Sequence, residues 1–320
     1  MRLVSLTSYS EADVRELLGP RARIEIELSP VPPVPPEQLR KLVSLADLVI
    51  ADVRQKHLLT REVLSAMDGC RLIQMPAVGF ESIDHLAAAE FGIPVANAAG
   101  FNRDAVADWT VMAIVLLLRK AAWADRRMRG GDWPKPLRCA EVRDLTVGII
   151  GLGNTGSGVA RRLRPFGAKI VFSDVMVRSF PGARQVPVEE LLRMADVVSV
   201  HAPLDVSTRA LINAATLASM RPGAILINAS RGAMVDESAL VDALRSGHLG
   251  GAGLDVYAAE PLAVDSPLRQ MENVFLSPHV AGTTDQSLRR VYAMTGANLR
   301  RVVAGRAPKH VVNGVRWTKR

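Results

Sequence analysis

The segment VGIIGLGNTGSGVA, residues 147–160, constrains the fold more than any other stretch of the chain. An apolar run at 147–150 leads straight into Gly151, Gly153 and Gly156, and a helix-compatible segment follows. A second apolar run, 169–172, ends at Asp174. Strand, glycine turn, helix and strand in this order form a unit built to hold a dinucleotide. Gly151 permits the tight turn out of the strand. Gly153 lacks a Cβ, so a pyrophosphate can approach the backbone, and Gly156 lets the helix pack close to the sheet. The helix N-terminus offers unpaired N–H groups and a partial positive charge to the phosphates. Asp174 falls near the usual spacing of about 20 residues after the glycines. A carboxylate there accepts hydrogen bonds from a ribose diol and repels a 2′-phosphate, so the site reads as one for NAD rather than NADP. Arg178 lies four residues further on and could meet such a phosphate.

The rest of the chain repeats the same rhythm. Strands are predicted at 3–6, 23–28, 48–51, 72–75 and 95–96, with helices starting near Glu11, Glu37, Thr60 and Ile83. After the glycines, strands are predicted at 169–172, 197–200, 224–228, 253–256 and 274–276, with helices starting near Asn154, Val188, Asn213 and Glu237. Such alternation argues for parallel sheets covered by helices on both faces. The expected fold is α/β: two doubly wound domains, with a Rossmann cofactor domain (100–284) inserted into a flavodoxin-like substrate domain (1–99 and 285–320). Hinges are expected near Ala99 and Thr284. Between 104 and 120, Ala105, Trp109, Met112, Ala113, Leu116 and Leu117 recur at helical spacing, which predicts a long helix that crosses between domains or builds a subunit interface. PVPPVPP at 30–36 reads as an extended connector, and Gly130, Gly131, Pro134 and Pro136 mark a loop.

Bulk properties exclude several classes. With 320 residues and 48% apolar content the chain can bury ordinary cores. Its longest apolar stretch, 111–118, is far short of the ~20 residues of a membrane span, and the N-terminus lacks a secretory signal pattern. The two cysteines, Cys70 and Cys139, form no framework, which fits a reducing cytoplasm. The net charge of +8 comes from arginine groups at 126, 127 and 129, at 161, 162 and 164, and at 300 and 301. No aromatic residues interleave with them as in a single-strand platform, so they read as solvated helix faces with no nucleic-acid partner.

Ligands of doubly wound sheets bind at the carboxyl ends of the strands. Those ends carry His201, then Arg231, then Asp255 and Glu260, then His279. An arginine fork binds a substrate carboxylate and polarises a carbonyl. An imidazolium donates a proton to the oxygen that gains charge as hydride arrives, and a carboxylate on its other nitrogen orients the ring. Arg231, Glu260 and His279 therefore suit hydride transfer to a 2-oxo acid without a metal. His201 reads as structural or near the cofactor's edge and not as catalytic. His57, His85, His248 and His310 have no such company.

The runs AVGFESID, GIPVANAAGFNRDAVAD, ADVVSVHAPL, INASRGAMVDESAL, GLDVYAAEP and SPHVAGTT, with the glycine fingerprint, resemble the D-isomer-specific 2-hydroxyacid dehydrogenase family from about residue 75 to 313. The resemblance implies a cytoplasmic homodimeric NAD enzyme that interconverts a small 2-oxo acid and its D-2-hydroxy acid. It implies that Arg231 binds substrate, Glu260 supports the histidine and His279 is the acid/base. Backbone N–H groups at Val78 and Gly79 would hold the substrate carboxylate. The cofactor would touch Gly151, Gly153, Asn154, Thr155, Gly156, Asp174, Ala202, Pro203, Thr208, Ala229, Ser230 and Gly282, and Asp255 would meet the nicotinamide amide. Asn154 and Thr155 depart from the basic residue and isoleucine of many relatives, and Trp109 replaces a smaller or polar residue, where it would narrow the cleft or face a partner subunit. Two alternatives share the scaffold: a phosphite or formate dehydrogenase, decided by residues around Phe80, Glu81 and Phe101, and a non-enzymatic NAD-sensing corepressor.

Overall fold

The computed structural model describes residues 1–20, 22–29, 33–135 and 138–318. The chain divides into two compact units, Met1–Asn102 with Thr284–Arg320, and Arg103–Thr283.

The first unit alternates β1 (Arg2–Ser5), α1 (Glu11–Leu18), β2 (Glu25–Leu28), α2 (Pro36–Val43), β3 (Leu48–Ile50), α3 (Arg61–Leu64), β4 (Leu72–Gln74), α4 (His85–Glu90) and β5 (Val95–Ala96). Its strands are parallel in the order β2-β1-β3-β4-β5, the flavodoxin-like order. Period-two alternation sends Val4, Val49, Ile73 and Val95 to one face and Leu3, Leu48, Ile50 and Leu72 to the other, so both faces are apolar and covered. Of the proline-rich stretch, residues 30–32 lie outside the described residues, as do Pro136 and Leu137 of the later loop; Pro35 and Pro36 open α2.

The second unit begins with α5 (Arg103–Leu118) and α6 (Ala121–Arg129). It continues through β6 (Thr146–Ile150), α7 (Asn154–Leu163), β7 (Lys169–Ser173), β8 (Ala183–Gln185), α8 (Val188–Met194), β9 (Val197–Val200), α9 (Ala214–Ser219), β10 (Ile225–Asn228), α10 (Glu237–Arg245), β11 (Gly251–Leu254) and β12 (Val274–Leu276). The parallel strand order is β12-β11-β10-β9-β6-β7-β8. Read from β8, this is the doubly wound dinucleotide order with one strand added beyond β11. The order reverses between β6 and β9, and the crevice outside the carboxyl ends at such a switch point is where sheets of this kind bind their ligands. A final helix, α11 (Asp285–Val303), returns to the first unit: Leu299 and Val302 pack with Val14 and Leu17, and the Tyr292 hydroxyl donates to the Asp13 carbonyl at 2.8 Å.

Three details depart from the expected pattern. The strand expected at 253–256 runs over Gly251–Leu254. Its glycines are needed because α5 lies against it: a Cβ on Gly253 would stand 2.9 Å from Ile227 Cδ1 and 3.3 Å from Ala113 Cβ. Helix α5 is apolar around most of its circumference, so periodicity alone did not define its face. Thr110 and Ile114 are buried while Met112 is exposed. Trp109 is buried within this unit, its ring 5.8 Å from that of Phe275, which leaves it little surface for the partner subunit that was one of its two expected neighbours.

Candidate active site

The turn between β6 and α7 is set by sterics. Gly151 has φ +89, and a Cβ there would lie 2.7 Å from the Ala202 nitrogen, so β6 and β9 touch at their carboxyl ends. A Cβ on Gly156 would stand 2.1 Å from the Gly151 carbonyl oxygen, which fixes α7 tightly on the turn. Gly153 differs: nothing lies within 4 Å of a Cβ built on it, so packing leaves that side open. Gly153 is also the N-cap of α7 and supplies no side-chain hydrogen bond to the first turn. An uncapped helix start beside open space fits a pyrophosphate. Asn154 is exposed and Thr155 half-buried on that first turn.

Asp174 follows β7 and is nearly buried. Its carboxylate accepts from Leu152 N at 2.8 Å, Met176 N at 2.9 Å and Arg178 Nε at 2.8 Å. Burial pushes its pKa up, but the Met176 and Leu152 N–H groups and the Arg178 guanidinium outweigh that and hold it below the usual carboxylate range. Gln185 of β8 staples this loop, donating to the carbonyls of Asp174 and Met176 and accepting from Arg178 N, each at 2.9 Å. Val175 and Val177, 97% and 98% exposed, offer an apolar surface beside the carboxylate that a purine can cover. The residues present therefore fit a dinucleotide: phosphates at the α7 start, ribose at Asp174, base over the valines.

Three neighbouring strand ends carry the expected polar trio. After β10, buried Asn228 folds the loop, accepting from Ser230 N at 3.0 Å and donating to the Arg231 carbonyl at 2.9 Å. Ser230 Oγ donates to the Ala202 carbonyl at 2.6 Å, joining this loop to the end of β9; Arg231 Nη1 donates to the Ser230 carbonyl at 2.7 Å. Gly232 lies against the next loop: a Cβ would fall 1.8 Å from the Tyr257 carbonyl oxygen. After β11, Glu260 Oε1 accepts from Tyr257 N at 3.1 Å, and Oε2 lies 2.7 Å from His279 Nδ1. An ionised carboxylate only accepts, so Nδ1 carries the proton and Nε2 is left for chemistry. Nε2 has no partner among the described residues, and the imidazole is 50% exposed.

His279 sits in the left-handed region, with φ +55. That conformation is held by Asp255, which is 1% exposed. Its carboxylate accepts from Ser277 Oγ at 2.5 Å, Val280 N at 2.8 Å and Ala281 N at 2.8 Å, bracketing the histidine. The Asp255 carboxylate thus also holds the His279 turn, a role beyond the cofactor contact expected of it. The Tyr257 hydroxyl bridges the carbonyls of Leu254 and Ser277 at 3.1 and 2.8 Å, and burial pushes its pKa up to about 12. Glu237, at the start of α10, accepts from Ala258 N at 3.1 Å and steadies the Glu260 loop. Sequence reading missed Glu237, Ser277 and Tyr257, because no spacing rule links them to the trio.

The remaining expected residues fall as follows. Pro203 and Thr208 share one loop, where Thr208 Oγ1 donates to the Pro203 carbonyl and accepts from Asp205 N, both at 2.8 Å; its hydroxyl is committed to that loop. Ala229 is half-buried after β10, and Gly282 ends the His279 turn. His201 lies 2.8 Å from Ser199 Oγ, and desolvation pushes it down to about 4, a neutral structural ring. In the first unit, Val78 and Gly79 lie between β4 and α4, where Asn97 Nδ2 donates to the Val78 carbonyl at 2.7 Å. Their own N–H groups donate to no acceptor among the described residues. His57 is not without company: Nδ1 is 3.1 Å from buried Asp52 and Nε2 3.2 Å from Ser29 Oγ. No group of metal-ligating residues occurs among the described residues.

Comparison with known proteins gives this geometry its context. The family model described as D-isomer specific 2-hydroxyacid dehydrogenase, NAD binding domain, matches residues 111–281. The chain is 38% identical over 262 residues to a glyoxylate reductase of Thermofilum pendens, covering 79% of this chain and 77% of that one. It is 37% identical over 277 residues to an (S)-sulfolactate dehydrogenase of Chromohalobacter salexigens, covering 85% and 90%. The structure of a D-lactate dehydrogenase from Aquifex aeolicus complexed with NAD and lactic acid superposes with a TM-score of 0.82, at 31% identity over 94% of this chain and 96% of that one.

Proposed function

The chain belongs to the D-isomer-specific 2-hydroxyacid dehydrogenase family, and from that premise we propose that it reduces a small 2-oxo acid to the D-2-hydroxy acid, with Arg231, Glu260 and His279 as its working groups. It is an NAD-dependent oxidoreductase. The observation that carries the proposed roles is the 2.7 Å contact between Glu260 and His279 Nδ1, which leaves Nε2 without a partner among the described residues.

Bound NADH supplies the hydride. The chain supplies everything else. Arg231 binds the substrate carboxylate and draws charge onto the carbonyl oxygen. His279 Nε2 delivers a proton to that oxygen as its charge grows. Glu260 accepts the Nδ1 hydrogen bond and offsets the imidazolium charge. In the oxidation direction the neutral Nε2 takes the hydroxyl proton. The N–H groups of Val78 and Gly79, which donate to no acceptor among the described residues, support the reading of the first unit, 1–99 with 285–320, as the substrate domain, and 100–284 as the cofactor domain. The dinucleotide contacts are assigned to Gly151, Gly153, Asn154, Thr155, Gly156 and Asp174, with Ala202, Ala229 and Ser230 lining the crevice.

A homodimer is supported by α6, which buries none of its side chains, and by exposed Met112, Met128 and Trp133 in the same unit. Both cysteines are free thiols, which suits the cytoplasm. The test is a panel of glyoxylate, hydroxypyruvate, pyruvate and larger 2-oxo acids with NADH. Loss of nicotinamide absorbance with at least one of them is expected; a panel without turnover removes the reading.

A further inference from the structure

A buried polar cluster in the first unit has no part in the chemistry described so far. Ser29 follows β2 and Asp52 follows β3, the strands on either side of β1. His57 joins them: Nδ1 is 3.1 Å from Asp52 Oδ2, and Nε2 is 3.2 Å from Ser29 Oγ. The three have the order of a hydrolytic relay. Yet Ser29, His57 and Asp52 are 8, 6 and 5% exposed, which closes the serine to a substrate. The ring is fixed by what it faces: Nδ1–H donates to the carboxylate, and Nε2 accepts from Val34 N at 3.4 Å. Asp52 holds more than the ring. Its carboxylate also accepts from Arg54 N at 2.9 Å, Lys56 N at 3.1 Å and His57 N at 3.3 Å, winding residues 52–57 into one turn. In this turn Gln55 has φ +54, and its Nε2 donates to Glu81 Oε2 at 3.1 Å. Just past the turn, Leu59 N donates to the Ser82 carbonyl at 2.8 Å, and Asp84 N donates to the Leu59 carbonyl at 2.9 Å. Residues 52–59 thus hold one side of the loop between β4 and α4, and Asn97 holds the other through the Val78 carbonyl.

We propose that Asp52 and His57 are positioning residues for the substrate. Through the Gln55–Glu81 and Leu59–Ser82 contacts they fix the loop whose Val78 and Gly79 N–H groups hold the carboxylate of the 2-oxo acid. This rests on the proposed function and on that reading of Val78 and Gly79. Two N–H groups grip a carboxylate only when both point at it, so a loop free to turn loses affinity for the acid. Hydride and proton transfer are set by Arg231, Glu260 and His279 of the second unit and proceed as before once the acid is bound. The cluster therefore acts on KM and not on kcat.

Two variants of the full chain test this. Asp52→Asn sets an NH₂ group among the N–H donors inside the turn. Gln55→Ala cuts only the surface link to Glu81 and leaves the buried cluster whole, so it reports even where Asp52→Asn fails to fold. Each is assayed with NADH against glyoxylate, hydroxypyruvate and pyruvate, with NADH affinity measured by calorimetry. For the acids that the wild-type chain reduces, Asp52→Asn is expected to raise KM at least about tenfold and Gln55→Ala about threefold, with kcat within about twofold and NADH affinity unchanged. Hydrogen exchange over residues 76–84 reads the loop without turnover and is expected to quicken in both variants. KM and exchange unchanged in both variants overturn the proposal. So does a loss shared by kcat and NADH affinity, the mark of a chain that is only less stable. Faster exchange at unchanged KM removes Val78 and Gly79 from substrate binding, and the positioning role with them. A wild-type chain that reduces none of the acids removes the proposed reaction first, and this role falls with it.

Discussion

The residue proposed to carry the proton sits in an uncommon backbone conformation, and one buried carboxylate keeps it there. His279 has φ +55, a region that L residues seldom adopt without support, and Asp255 accepts the N–H groups of the two residues that follow it. Asp255→Asn turns an NH₂ toward at least one of these N–H groups. Unfolding of this variant in denaturant is expected to show a loss of about 1–3 kcal/mol for each donor left unsatisfied, with turnover falling further because the imidazole shifts. His201 gives a second residue-scale expectation. Its folded-state pKa, about 4, lies below its ordinary 6.5, so the unfolded chain takes up the proton first as the pH falls. Stability is unaffected by this group above pH 6.5 and declines between 6.5 and about 4, by on the order of 3 kcal/mol in all. Stability curves of His201→Gln should lose that part of the acid dependence; a curve that matches the wild type contradicts the assignment. The pairing of Glu260 with His279 could be anticipated, because adjacent parallel strands deliver their following loops to one edge. The work of Asp255 could not, nor the Asp52–His57 contact, because both depend on where a loop folds back, and nothing in the local sequence encodes that.

Elements were legible where one force decided them. Apolar strands separated by amphipathic helices predict parallel sheets, because every face must be covered, and the observed strand orders follow. Helix α6 escaped detection because it has no apolar stripe. It is held by polar contacts, Trp123 Nε1 donating to Glu272 at 2.9 Å and Arg127 pairing with the same carboxylate at 3.3 Å. Strand β8 escaped because a short edge strand reading Ala-Arg-Gln has no hydrophobic alternation, yet its Gln185 organises the Asp174 loop. The junction of β6 and α7 was legible through its glycines, and it gives a clean test. Gly156→Ala puts a methyl 2.1 Å from a backbone carbonyl oxygen that no rotamer change can relieve. It should destabilise the chain by roughly 1–3 kcal/mol and weaken NAD binding by pushing α7 off the turn; thermal melts and nucleotide titration measure both.

At the scale of the whole molecule, the arginines behind the +8 net charge are more engaged than composition implied. Arg127 pairs with Asp132 and Glu272, Arg129 with Asp125, and Arg162 with Asp104 and Asp108, while Arg300 and Arg301 donate to the carbonyls of Leu17 and Ala307. Much of the arginine content fastens helices, and α5 is tied to α7 through Arg162. Met112, Met128 and Trp133 remain exposed on the second unit, and sedimentation is expected to give twice the 34.5 kDa chain mass, whereas a monomer would contradict the proposed homodimer. Above these stands the proposal that His279 passes a proton to the oxygen of a 2-oxo acid. The most direct measurement compares wild-type chain and His279→Gln in steady-state NADH oxidation, with NAD affinity measured alongside. A fall in turnover of about 10²–10⁴-fold, with the nucleotide still bound, is the predicted result. Turnover within a few-fold of wild type, at undiminished NAD binding, would contradict it.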